Sequence, residues 1–186
     1  MRNGYRLAVL GVIAISAGCA NPEASVGPPD SADLQRSGDG RATPVLTGSG
    51  DHTRIVGTDT ALTTFDFHVM RLPDSSAVGH YLYNFRAAGF EVEGHVTCAT
   101  KSGNQAWVSG VVDQVRTDNP ELEELLGLEM WWRSKDGGPG PHAPPDSTTG
   151  LGFGFAGTPI TGESWCRDQP VALIMRAVER GNLRVW

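Results

Sequence analysis

Cysteine is scarce in this sequence, and no familiar motif accounts for the few cysteines present. Cys19, Cys98 and Cys166 are the only three in 186 residues. None forms a Cys-x-x-Cys pair, and none lies at a Cys/His spacing typical of tetrahedral zinc sites. The pattern therefore predicts no structural zinc, and we expect no bound cofactor.

Basic residues are outnumbered by acidic ones. The chain has 15 Lys and Arg against 21 Asp and Glu, a formal net charge of −6. Residues 1–18 contain Arg2 and Arg6 and no acidic residue, so their removal leaves 13 basic side chains against 21 and a net charge of −8. Nucleic-acid binding depends on the neutralisation of phosphates by basic side chains, so we expect no nucleic-acid partner.

Short motifs that mark common catalytic and nucleotide sites are also missing. The sequence has no Gly-x-Ser-x-Gly nucleophile elbow and no Gly-x-x-x-x-Gly-Lys-Ser/Thr phosphate loop. Its Gly-rich stretch, Gly150-Leu-Gly-Phe-Gly-Phe, shows no pattern of the following helix that a dinucleotide-binding loop requires. The alternating glycines instead leave one face of residues 149–156 almost without side chains. Such a strand either lets another element approach closely or is covered by an aromatic from a neighbouring strand.

The chain also lacks an apolar run of membrane-spanning length. Leu7–Ala17 is apolar over 11 residues, whereas a helix that crosses a bilayer needs about 20. Arg2 and Arg6 precede this run and small residues follow it, which is the layout of a secretory signal. We therefore interpret residues 1–18 as a signal peptide and the protein as exported.

The end of this signal resembles the lipobox of bacterial lipoproteins. It has the sequence Ser16-Ala-Gly-Cys19, and in that family the cysteine is acylated and becomes the mature N-terminus. The resemblance implies a lipid anchor on Cys19 and a location at the cell membrane or outer membrane, facing outside the cytoplasm. Ser16 stands where the family usually has Leu or another aliphatic residue. The alternative is cleavage near Ala20 and secretion.

Two cysteines remain once Cys19 is assigned to lipidation. An even pair in an exported protein is most simply a disulfide, so we predict a bridge between Cys98 and Cys166. Two unpaired thiols are the alternative. With the three cysteines assigned in this way, a cysteine nucleophile is not expected.

Residues 19–44 have the composition of a tether. The segment is rich in Pro, Gly, Ser and Asp and shows no sustained apolar period. It therefore cannot bury enough apolar surface to offset the entropy cost of ordering. Residues 45–186 remain as one domain, which is long enough to form a hydrophobic core.

One long hairpin pattern organises this domain. Apolar and polar residues alternate along residues 90–98, which predicts a strand with one apolar face. Ser102-Gly-Asn104 supplies a tight reversal, and residues 106–112 return with apolar residues on both faces, as expected inside a sheet. The residues predicted to share the apolar face of the first strand are Phe90, Val92, Gly94, Val96 and Cys98.

Further strand patterns indicate an all-β domain. One short connector helix is predicted where Asn119 and Pro120 precede several Glu residues and Gly127 ends the segment. The fold class is therefore a single β-sandwich or β-barrel of about eight antiparallel strands with that one helix. The other alternating segments are residues 62–70, 78–85, 128–135 and 183–186.

The order of these features resembles an uncharacterised family of exported bacterial β-domains. The resemblance covers about residues 47–186. It includes the Thr-Phe-Asp-Phe-His68 strand, Ser-Gly-Asn-Gln-Ala-Trp-Val-Ser-Gly110, the late Cys166 and the closing Gly181-Asn-Leu-Arg-Val. It implies the same β fold, and it carries across no activity and no catalytic residue, because its motifs are structural.

The best polar candidate site combines two predicted strands. Asp66 and His68 point one way from one strand, and Glu93 and His95 point one way from another, since each pair has i, i+2 spacing. If the strands are neighbours, two histidines and two carboxylates meet, which suits a divalent metal or acid/base chemistry. The alternative is a solvated outer face.

Two further groups of residues are weaker candidates. Asp136 and Asp146 lie in a Gly- and Pro-rich loop and offer oxygen ligands for calcium, with turn formation as the alternative. Aromatic residues with polar tips suit a sugar or apolar ligand and equally suit sheet packing. These aromatic residues are Tyr81, Tyr83, Trp107, Trp131, Trp132 and Trp165.

The leading functional interpretation is a non-catalytic cell-envelope module that binds a ligand or a protein partner on its β surface or loops. The sequence does not identify that ligand or partner. The alternative is a small hydrolase or isomerase, or a metal-binding protein, that uses Asp66, His68, Glu93 and His95. An enzyme needs this quartet to converge in a concave site, whereas a binding module allows it on an open face.

Overall fold

The computed structural model describes residues 41–56, 59–171 and 173–186. The predicted signal peptide (residues 1–18), Cys19 and the tether up to residue 40 lie outside the described residues. Within the described ranges, no helix is long enough and apolar enough to cross a membrane.

The described chain is built from antiparallel strands and one α-helix, which confirms the predicted all-β class. The elements are β1 (Thr43–Val56), β2 (Asp59–Arg71), β3 (Ala77–Phe85), β4 (Phe90–Ser102), β5 (Gln105–Thr117), β6 (Glu129–Lys135), β7 (Ser147–Thr149), β8 (Gly152–Phe153), α1 (Gly162–Asp168), β9 (Met175–Ala177) and β10 (Arg180–Val185). The strand order is β10-β1-β2-β3-β4-β5-β6-β7-β9, and β8 also pairs with β6. This single sheet curls into a half-barrel.

The hydrophobic core lies on the concave face of the half-barrel and consists largely of aromatic side chains. Trp132 of β6 packs against Phe67 of β2, with ring centroids 5.0 Å apart, and against Tyr81 of β3, at 5.2 Å. Tyr83 reaches across the interior and donates a hydrogen bond to the Thr149 carbonyl at 3.3 Å. These contacts hold β6 and β7 against β2 and β3, which are not their neighbours in the sheet. The largest fully buried core side chains include Trp132, Tyr81, Tyr83, Phe67, Leu46, Met130 and Leu183.

The long hairpin is present as β4 and β5, but its register contains a β-bulge. Val96 pairs with Gly110 and Cys98 pairs with Ser109, so Thr97 is an extra residue without a partner. One extra residue inverts the alternation of side chains beyond it. Cys98 therefore packs on the convex face instead of sharing the core face with Val96, and that part of the prediction is wrong.

Helix α1 lies on the convex face and is fastened there by a disulfide. It begins after Thr161, whose Oγ1 accepts a hydrogen bond from Ser164 N at 3.1 Å as part of a capping box. Trp165 and Cys166 are its buried side chains. Cys166 is bonded to Cys98 of β4, with the Cα atoms 6.4 Å apart, so the predicted disulfide is present.

The predicted connector helix is not an α-helix. Residues Pro120–Leu125 form a short 3-10 helix, and the side chain of Asn119 caps it by accepting a hydrogen bond from Glu121 N at 3.1 Å. The capping and first-turn signals were therefore located correctly, and the segment folds as consecutive 3-10 turns. The one described α-helix, α1, was not predicted.

Candidate functional site

The predicted quartet does not assemble. Strand β3 lies between β2 and β4, so Asp66 and His68 are not on a strand adjacent to that of Glu93 and His95. All four side chains lie on the convex face, and all except Glu93 are exposed. The prediction required β2 and β4 to be neighbours, which the sequence does not specify.

Histidines from three adjacent strands form a row on this face instead. His68 of β2 pairs with His80 of β3, which pairs with His95 of β4. The rings of His68 and His80 are stacked with centroids 5.6 Å apart. His80 Nε2 lies 3.7 Å from an Asp66 carboxylate oxygen, and His95 Nδ1 lies 2.9 Å from the Asp113 carboxylate. The row is therefore flanked by one carboxylate on each side.

Glu93 belongs to a separate ion-pair cluster. Its carboxylate contacts Arg116 of β5 at 3.1 Å, and the same guanidinium also pairs with Glu91. Among the described residues, no group of three or more His, Cys, Asp or Glu side chains is arranged to hold a metal ion. An exposed convex surface also gives no support to the enzyme interpretation of the quartet.

The two loop aspartates bind backbone amides. Asp146 accepts hydrogen bonds from Gly137 N at 2.8 Å and Leu183 N at 2.6 Å. Asp136 accepts one from Val185 N at 3.2 Å. Leu183 and Val185 belong to β10, so the two carboxylates join the loop after β6 to the strand at the far end of the sheet. These oxygens serve turn formation and sheet closure, which agrees with the predicted alternative to calcium binding.

The six candidate aromatic residues divide between the two faces of the sheet. One group packs in the core, and the other packs beneath α1 with the disulfide. The indole of Trp107 donates to the Pro170 carbonyl at 2.9 Å, and that of Trp165 donates to the Trp132 carbonyl at 3.0 Å. The core group is Tyr81, Tyr83 and Trp132, and the convex group is Trp107, Trp131 and Trp165.

Trp131 also covers the Gly-rich strand, as predicted. A Cβ atom on Gly152 would lie 2.2 Å from the Trp131 Nε1 atom, so only glycine fits at this position. The indole and the glycine backbone together form one wall of a pocket.

This pocket, of about 470 Å³, lies at the seam where the β7–β9 end of the sheet approaches β1. We call it the seam pocket. One side is provided by β1, another by the β7–β8 connection, and a third by the segment that leads into β9. Its lining residues are Arg54, Trp131, Thr149, Gly150, Leu151, Gly152, Leu173, Ile174 and Arg176.

Positive charge is concentrated at the seam pocket. Arg54 and Arg176 line it, and neither forms an ion pair with a described residue. Arg133 lies beneath the segment before β9, is 5% exposed, and has only neutral partners, among them Met175 Sδ at 3.1 Å and the Leu173 carbonyl at 3.4 Å. Burial lowers the pKa of the Arg133 guanidinium. Three guanidinium groups therefore lie in this region without a paired carboxylate among the described residues.

The acidic groups near this seam are occupied elsewhere. Asp51 pairs with Arg180 at 2.8 Å, and Glu179 accepts a hydrogen bond from Thr53 N at 3.1 Å. His52, which is 1% exposed, has a lowered pKa, chiefly because of burial and then because of the positive charge of Arg176. Neither carboxylate therefore pairs with Arg54 or Arg176 among the described residues.

Apolar side chains complete the pocket and extend beyond it. Leu151 lines it, and Leu173 and Ile174 line it while remaining 41% and 75% exposed. Val171, in the same segment, is 67% exposed. Exposed aliphatic residues beside Arg54 and Arg176 form an amphipathic surface. Sequence reasoning missed it because its parts come from segments far apart in the chain.

No protein-family model, curated protein or solved structure matches this chain significantly.

Proposed function

We propose that this protein is an exported, lipid-anchored envelope protein whose β-domain binds an amphiphilic anion in the seam pocket without catalysing a reaction. The ligand class is a carboxylate or phosphate head group attached to an alkyl chain. The observation that carries this proposal is the coexistence of unpaired guanidinium groups and exposed aliphatic side chains in one pocket.

The head group is assigned to Arg54 and Arg176. A guanidinium offers several N–H donors in a fixed plane and matches carboxylate and phosphate oxygens with two parallel hydrogen bonds. An anion bound in the pocket compensates the positive charge of both arginines.

The alkyl chain is assigned to the aliphatic side of the pocket. Leu151, Leu173 and Ile174 present apolar surface there, and burial of such surface is favourable by roughly 25 cal/mol per Å². A volume of about 470 Å³ lies within the range of small-molecule sites. The segment that carries Leu173 and Ile174 is exposed, so a chain longer than the pocket extends along it.

The proposed location rests on separate observations. The signal-like residues 1–18 and the lipobox-like Ser16-Ala-Gly-Cys19 support export and anchoring. The Cys98–Cys166 disulfide is the kind of bond that persists in oxidising compartments. A protein anchored to a membrane also lies close to lipids, which carry alkyl chains.

The direct test is a calorimetric titration of the purified mature protein with monomeric dodecanoate, dodecyl phosphate and the uncharged dodecyl maltoside. We expect both anions to bind and the uncharged amphiphile to bind at least about tenfold more weakly, because it forms no charge-assisted hydrogen bonds. The two anions distinguish a carboxylate-selective site from a phosphate-selective one.

Arg54→Gln is the informative variant, and Arg184→Gln is its matched control. Both remove one positive charge, but Arg184 lies on β10 opposite Thr47, seven residues along β1 from Arg54. We expect Arg54→Gln to weaken anion binding about tenfold or more and Arg184→Gln to leave it unchanged. Equal binding of anionic and uncharged amphiphiles, or equal effects of the two variants, would refute the proposal.

A further inference from the structure

We propose that His68 and His80 form a binding site for a divalent transition metal on the convex face, away from the seam pocket. The donor pair differs from the predicted quartet. It replaces Glu93 and His95 with a histidine on β3, because β3 is the strand that actually lies beside β2.

The two histidines are direct cross-strand partners. His68 pairs with His80 in the β2–β3 register, and directly opposed residues of antiparallel strands carry their side chains on the same face. Their ring centroids are 5.6 Å apart. Both side chains are exposed, so rotation about their side-chain bonds brings one nitrogen of each ring to a shared ion without movement of the backbone.

The chemistry of the pair fits a borderline divalent ion. Neutral imidazole nitrogens suit Zn²⁺, Ni²⁺ and Cu²⁺, whereas Mg²⁺ and Ca²⁺ prefer oxygen. A ring that is protonated before binding releases its proton to solvent as the metal–nitrogen bond forms. An Asp66 carboxylate oxygen lies 3.7 Å from His80 Nε2 and is available as an additional oxygen ligand. Water completes the coordination, since no three described side chains are pre-assembled around an ion.

The other three described histidines do not share the exposed cross-strand arrangement of His68 and His80. His95 has its Nδ1 atom engaged with the Asp113 carboxylate at 2.9 Å. His52 is buried. His142 is exposed in the Gly- and Pro-rich loop and is not part of the row. These differences provide matched controls within one chain.

The test is a calorimetric titration of the mature protein, prepared without a histidine tag, with ZnCl₂, NiCl₂ and CuCl₂ at pH 7.5. We expect one ion per chain for at least one of these metals. His80→Gln and His68→Gln should each lower that affinity at least about tenfold, because loss of one ring removes the chelate. His142→Gln should leave the affinity unchanged.

A thermal measurement provides the second readout. An ion that bridges two strands binds the folded state in preference to the unfolded chain, so saturating metal should raise the melting temperature of the wild type. The rise should disappear in His80→Gln, while the melting temperature without metal stays close to that of the wild type. A flat wild-type titration for all three metals, or equal losses in His80→Gln and His142→Gln, would overturn the proposal.

Discussion

Asp146 joins the loop after β6 to strand β10 through its carboxylate. Its carboxylate joins Gly137 N in the loop after β6 to Leu183 N in β10, and Leu183 is 1% exposed. Backbone donors at a partly buried edge need an acceptor, and a carboxylate is a stronger acceptor than a neutral oxygen. The Asp146 carboxylate thus fixes the end of a loop and accepts a hydrogen bond from a backbone amide of the edge strand β10.

We expect Asp146→Ala to lower the free energy of unfolding by about 3 kcal/mol, since two donors lose a charged acceptor. Urea unfolding followed by tryptophan fluorescence measures this difference. Asp118→Ala removes an exposed carboxylate between β5 and the 3-10 helix, and its effect should stay within about 0.5 kcal/mol. If the two variants unfold at the same urea concentration, the hydrogen bonds of Asp146 do not stabilise the contact between the loop and β10.

Alternation in the sequence predicted the face on which most strand residues lie, but the β-bulge at Thr97 broke this pattern. The parity of cysteines predicted the partner of Cys98, but the unpaired Thr97 reversed the face on which Cys98 lies. The alternation along residues 78–85 predicted that His80 and Tyr81 lie on different faces of their strand. The pairing of His80 with His68, however, depends on which strands are neighbours. Bulges and register are set by contacts between strands, so a local pattern does not contain them.

At the scale of elements, the stability of α1 comes from its attachment to the sheet, because the helix is too short to be stable alone. It has seven residues, and an isolated helix of that size is unstable in water. Its stability comes from burial of Trp165 against the sheet and from the bond between Cys166 and Cys98. The helix and its disulfide therefore act as one unit that covers β4, β5 and β6.

The double variant Cys98→Ala/Cys166→Ala should lower the free energy of unfolding by about 3 kcal/mol, because the bridge closes a long loop in the unfolded chain. Chemical unfolding measures the loss, and wild-type protein treated with a reductant serves as the control of identical sequence. We also expect a red-shifted tryptophan emission, since Trp165 and Trp107 become more exposed. Identical unfolding midpoints for oxidised and reduced wild type would contradict this prediction.

Element length explains why the shortest elements were not predicted. Strands β2 to β6 have seven or more residues, and each shows enough alternation to be recognised. Helix α1 is seven residues long and strands β7, β8 and β9 have two or three, so none completes a periodic pattern. The capping box at Thr161 and Ser164 was the available signal for α1.

At the scale of the whole molecule, the membrane attachment that we propose depends on Cys19 alone. We expect Cys19→Ser to move the protein from the membrane fraction to the soluble fraction, because the acidic domain has no electrostatic attraction to anionic lipids. Cell fractionation and immunoblotting measure the distribution. Ser16→Leu, which introduces the usual lipobox residue, is the control and should not reduce the membrane-bound share. A wild-type protein that is already soluble would exclude the anchor.

The fold class followed from the sequence, whereas the site did not. Alternation along residues 62–70 and 90–98 was enough to indicate antiparallel strands. The seam pocket, however, brings Arg54 of β1 close to Arg176 of β9, and this proximity exists only because the curled sheet returns toward its first strand. Long-range strand order is a property of the packed core, not of any local segment.

The pairing of β1 with β10 imposes an order of events on folding. Strand β1 acquires its outer neighbour only after the last strand of the described chain has been synthesised and delivered. Contacts between segments so far apart in sequence require closure of a long loop, which makes folding slow compared with that of helical domains. For the export that we propose, the late arrival of β10 is an advantage, because a chain whose sheet is still incomplete stays unfolded while it crosses the membrane.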